Sequence, residues 1–141
     1  MIAVEFVFDQ LDVNYWAVLV SGIVAMVIGA VWYNALAKPW MKGAGLTKKD
    51  AENGNPGVYF VSFLAFLLAF YVLAHIAALA EVGNVTEGIL TGFWAWLGFA
   101  ATVTGINYLY QQKSVQFYAI DTGYMLLVFL TAGGIIGGWP V

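Results

Sequence analysis

Four long apolar runs, separated by short polar stretches, dominate the pattern of this chain. The first extends over about 13–37, the second over 58–80, the third over 88–112 and the fourth over 114–139. A helix needs roughly 20 apolar residues to cross the hydrocarbon core, and each run meets that length. The first three contain no charged residue, and the fourth contains one, Asp121. None alternates between polar and apolar positions as barrel strands do, and open strands are excluded in lipid because their edge amides find no partner. The pattern therefore predicts an all-α fold: an integral membrane four-helix transmembrane bundle, in a single domain over 1–141. Asn14 is placed to cap the first helix. The cluster Asn53-Gly54-Asn55-Pro56-Gly57 breaks the chain before the second span.

Composition strengthens this reading. The chain is 62% hydrophobic and 9% charged, whereas a soluble domain carries about 25% charged residues. Net charge is -3 with only five lysine and arginine residues, all of them lysine. Nucleic acid is thereby excluded as a partner, since its recognition needs clustered cations. There is no cysteine, which removes disulfides and thiolate metal sites. Residues 1–12 hold Glu5, Asp9 and Asp12 and no basic residue, unlike a secretory leader; they read as a surface-lying or frayed terminus.

The lysines give a direction. Lys38, Lys42, Lys48 and Lys49 lie in the loop 38–57, and Lys113 lies between the third and fourth spans. By the positive-inside rule that side is cytoplasmic, which puts both termini on the outer, periplasmic side. Trp32, Tyr33, Trp40, Tyr108 and Tyr118 fall near the inner interface and Tyr15, Trp16 and Trp139 near the outer one. They read as aromatic belts.

Small residues mark helix-packing positions. Ala17, Ser21, Ala25 and Gly29 recur every four residues along the first span, and Gly133 and Gly137 form a GxxxG pair in the fourth. Such spacing lets helix backbones approach closely in lipid, and packing within the bundle is the expected use. A four-helix chain has little interior of its own, so a homo-oligomer is expected.

Polar residues sort into two layers by depth. Asp121 lies about 10 Å inside the cytoplasmic surface, at a level with Thr104, Asn107, Ser62, Tyr33 and Asn34. His75 lies roughly 9 Å from the outer surface, level with Ser21, Thr91 and Thr131. A buried charge must face protein or water, so Asp121 is expected at a helix interface, bonded to Asn107 above all or to the Tyr33 hydroxyl. His75 is expected as a neutral imidazole bonded to a Ser or Thr of a neighbouring helix; a lone His without Cys is a poor metal site. No G-x-S-x-G, H-E-x-x-H or Walker loop is present, and the interior lacks paired carboxylates. The reading is non-enzymatic, with no cofactor.

The stretches 13–45 and 94–139 resemble the domain-of-unknown-function 1761 family. The resemblance rests on Gly29-x-x-Trp32-Tyr33 with Trp40-Met41, on Trp96-Leu97-Gly98-Phe99, on Asn107-Tyr108-Leu109 and on Gly123-Tyr124. It implies a small four-helix protein of the bacterial inner membrane, and it supplies no activity, ligand or catalytic residue. Two function classes follow. One is a small permease or channel with a polar layer around Asp121. The other is a structural or interaction protein that assembles with itself, with lipids or with another membrane protein.

Overall fold

The structure is a computed structural model that describes residues 8–139 and 141, with the side chain of Asp9 outside the description. Most of the acidic N-terminal stretch, including Glu5, falls outside the described residues. Among those described, every regular element is helical. A 3-10 turn at Phe8–Gln10 precedes α1, Tyr15–Ala35. Two short helices follow, α2 at Ala37–Ala44 and α3 at Lys48–Glu52. Then come α4, Gly57–Leu79, α5, Val85–Tyr110, and α6, Val115–Gly138. Four of these, α1, α4, α5 and α6, are long and apolar enough to span a membrane. Their ends lie within a few residues of the predicted runs, and the loop 38–57 contains the two short helices.

Three of the four long helices, α1, α5 and α6, begin where an N-cap side chain accepts from the free amides of the first turn. The Asn14 side chain accepts from the amides of Trp16 and Ala17. Asn84 serves α5 through Glu87 N, and Ser114 serves α6 through Phe117 N. Asn14 Nδ2 also donates to the Trp139 carbonyl at 3.4 Å, so the start of α1 and the end of α6 meet at one end of the bundle.

The tightest packing joins α5 to α6. A Cβ placed on Gly88 would lie 2.0 Å from the Gly133 carbonyl oxygen, and one on Gly133 would lie 2.1 Å from the Gly88 oxygen. Gly92 against Phe129 and Gly137 against Asn84 are nearly as close. The two glycine pairs thus interlock within one chain, backbone on backbone, in the manner that lipid-embedded helices favour. Ala17, Ser21 and Ala25 are buried, and Gly29 faces the Tyr124 hydroxyl. They line the contact of α1 with the core formed by Phe70, Leu73, Ala74, Tyr124, Val128 and Ala132.

Inside α5, residues Trp96–Ala101 form a π-helical segment. The wider turn loosens the usual carbonyl partners, and side chains serve two of them. Tyr118 OH donates to the Ala101 carbonyl at 2.8 Å and Thr102 Oγ1 to the Gly98 carbonyl at 2.7 Å.

Candidate functional site

Asp121 sits in the second turn of α6 and is half-buried. Three donors from three other elements reach its carboxyl group. Tyr33 OH, near the end of α1, lies 2.8 Å from Oδ1. Trp40 Nε1, on α2, lies 3.0 Å from the same oxygen. Tyr108 OH, at the end of α5, lies 2.5 Å from Oδ2. Every partner donates, which suits a group whose charged form only accepts.

Local sequence explains how Trp40 arrives there. Leu36 leaves the helical region, with φ -108° and ψ 21°, so α1 stops and α2 sets off in a new direction. Gly43 then lets α2 lie directly on Phe117, where any Cβ would come within 2.5 Å of the ring. The indole of Trp40 packs at 6.0 Å from Phe117 and edge-on to Tyr33 at 5.8 Å. Tyr108 stacks on Phe117 as well, at 5.3 Å.

The backbone around Asp121 is clamped as well. Trp32 Nε1 donates to the Ile120 carbonyl and Trp96 Nε1 to the Thr122 carbonyl, each at 2.9 Å. A Cβ on Gly123 would come 3.2 Å from the Trp32 ring, so glycine there leaves the indole its place. One turn on, Tyr124 OH donates to the Ala25 carbonyl at 2.7 Å. Five ring donors therefore fix residues 120–122 to α1, α2 and α5, and a sixth ties Tyr124 to α1.

Beside this node the first turns of α4 stand away from α1 and α6, leaving a cleft of about 950 Å³. Tyr33, Trp40 and Tyr124 form part of its wall, with Met26, Phe66 and Phe129 deeper in. Asp121 does not line it.

The profile of a family described as "Protein of unknown function (DUF1761)" matches residues 16–137. The chain belongs to that family. No curated protein and no solved structure matches it. The segments that carry the DUF1761 resemblance converge in space, because Trp32, Tyr33, Trp40, Trp96, Tyr108 and Gly123 all meet at Asp121 or its flanking carbonyls.

Several sequence expectations are corrected in this DUF1761 chain. Asn107 is exposed and does not reach the carboxylate. Successive helical residues point about 100° apart, so turning Tyr108 inward turns Asn107 away. Tyr33, the other expected donor, does reach the carboxylate, and Thr104, expected only at its level, is half-buried. Trp40 and Tyr108, read as belt aromatics, are two of the three donors. Their depth close to Asp121 was the available signal, but which face they occupy was not.

His75 is buried at the far end of α4, and its expected partner is also corrected. Nδ1 lies 2.7 Å from the carbonyl of Tyr71 in the same helix. A carbonyl only accepts, so that nitrogen carries the proton. Thr91 and Thr131 instead donate to the carbonyls of Glu87 and Leu127 in their own helices, a local bond that competes with any cross-helix one. Ser21 Oγ is buried and has no partner among the described residues. The imidazole face is covered by Phe8, stacked at 4.7 Å.

Proposed function

We propose that this DUF1761 chain is a multi-pass protein of the bacterial cytoplasmic membrane with a structural or interaction role, in which Asp121 ties the spans together at their cytoplasmic end. One observation carries the reading: both carboxylate oxygens are taken by donors from α1, α2 and α5. A carboxylate that served a pore would keep its lone pairs for water or an ion, whereas here about three of four acceptor positions are filled by protein. Such a tie gives the bundle a rigid inner end on which partners, lipids or further copies assemble. Both termini then lie outside, and a reporter active only in the cytoplasm stays silent when fused after Val141.

A second reading, a small permease, draws on the cleft of about 950 Å³ beside the node, a size in the range of small-molecule sites. Two variants separate the readings. Asp121→Asn keeps an acceptor oxygen and folds with little loss of thermal stability in detergent. Asp121→Leu strands three donors and destabilises the bundle by about 2–4 kcal/mol, read as a clearly lower unfolding temperature. If Leu is harmless, the tie is wrong. If both variants fold normally and a proton-linked flux in liposomes disappears, the permease reading stands in its place.

A further inference from the structure

The cleft beside the node has a length, a lining and a charge pattern that together specify an occupant. Along α4 its lining runs from Val58 to Ala69, eleven steps of 1.5 Å, or about 16 Å. That is close to one leaflet, half of a hydrocarbon core of about 30 Å. Its deep part is apolar and soft, with Met26, Phe66, Ala69, Met125 and Phe129. Small side chains hollow it out, Gly29 and Ala30 on α1 facing Ala65 on α4.

The other end of the cleft is different in kind. Ala37, Trp40 and Met41 of α2 and Ala51 of α3 form its rim. The same two short helices carry Lys38, Lys42, Lys48 and Lys49, all exposed. Opposing charge there comes from Asp50 and Glu52, and Asp50 is engaged in the capping box of Thr47. Four cations against two anions leave the rim net positive. An apolar slot one leaflet deep, bordered at its polar end by two short helices that carry exposed lysines, matches a molecule with an apolar chain and an anionic head.

We propose that the cleft between α1, α4 and α6 is a binding site for an anionic phospholipid of the surrounding bilayer. One acyl chain lies against Phe66, Met125 and Phe129, and the phosphate headgroup sits among the lysines of α2 and α3. The proposal does not depend on the role of Asp121, because the slot and its rim exist whichever function the node serves. It does not depend on which face of the membrane is cytoplasmic either, since lysines and cleft mouth share one end.

Thermal unfolding and native mass spectrometry of the full chain in neutral detergent test it, with added phosphatidylglycerol compared with phosphatidylcholine of identical acyl chains. Phosphatidylglycerol raises the unfolding temperature and stays bound, while phosphatidylcholine binds at least about tenfold more weakly. Each lysine changed to Gln among 38, 42, 48 and 49 costs about fivefold in apparent affinity for the anionic lipid. Ala65→Trp, or Ala30→Phe from the opposite wall, fills the slot and abolishes the shift while the circular dichroism stays helical. Equal binding of the two lipids overturns the proposal. So does an equal shift from inorganic phosphate alone, retained binding in both filled variants, or a dimer of an Ala65→Cys variant, disulfide-linked through that position, that takes up no lipid.

Discussion

The hydroxyl of Tyr108 lies 2.5 Å from Oδ2 of Asp121, although the two residues belong to different spans. The tight turn between α5 and α6 brings them together. Gln112 adopts a positive φ of 56° there, and the Lys113 amide bonds back to the Tyr108 carbonyl. The hairpin is thus closed at one end by a polar contact and at the other by interlocked glycines.

Removing that polar contact has a defined cost. Tyr108→Phe keeps the stack on Phe117 and deletes only the donor. It lowers stability in detergent by about 1–2 kcal/mol, within the range for hydrogen bonds to charged groups and between membrane helices. Tyr110→Phe, at a residue 86% exposed, leaves the unfolding temperature unchanged. Equal effects of the two substitutions refute the assignment of Tyr108.

At the opposite end the glycines set the helix separation. Gly133→Ala places a methyl group 2.1 Å from the Gly88 carbonyl oxygen, so α5 and α6 must move apart. A loss of about 1–3 kcal/mol or more is expected, as for other overpacked interfaces. Gly98→Ala meets nothing within 4 Å and stays within about 0.5 kcal/mol of the parent protein. Thermal unfolding of the pair in one detergent measures the contrast.

The loop helix α3 has its own pH dependence. The Thr47 amide and hydroxyl hold Asp50 below its ordinary carboxylate value of 3.8. Since the folded value is depressed, the contribution to α3 is complete above the unfolded value. It is lost as pH falls through the lower folded one. Nuclear magnetic resonance titration should place the Asp50 midpoint below 3.8, and Thr47→Ala should return it upward. The four spans are unaffected by that change.

Much of the architecture is legible in the sequence because lipid makes demands that composition reveals directly. A span needs length, apolar side chains and internal hydrogen bonds, and α1, α4, α5 and α6 declare themselves on those grounds. Gly133 and Gly137 are equally visible, since small residues spaced every four, glycine above all, let two backbones approach closely. The site was less legible. Asp121 and Tyr33 could be placed at one depth, yet Asn107 ranked above Tyr108 because depth carries no information about rotation around the helix axis.

What the sequence determined by itself is the set of spans, the Asn14 cap of the first, the Gly133/Gly137 pair and the level at which each polar residue stands along its helix. These follow from local chemistry and from the membrane as solvent. What only the tertiary structure decided is which side chains meet. Whether Tyr108 or Asn107 faces α6 depends on the rotation of α5, which the glycine contacts with α6 and the π-helical turn after them set together. Whether Trp40 reaches Asp121 depends on the break at Leu36 and on the fit of Gly43 against Phe117. Whether His75 meets a hydroxyl depends on each hydroxyl's choice between a neighbour and its own helix carbonyl. Hydropathy is indifferent to these alternatives, because the apolar character of a span is the same at every angle around its axis, and only close packing between helices distinguishes one angle from another.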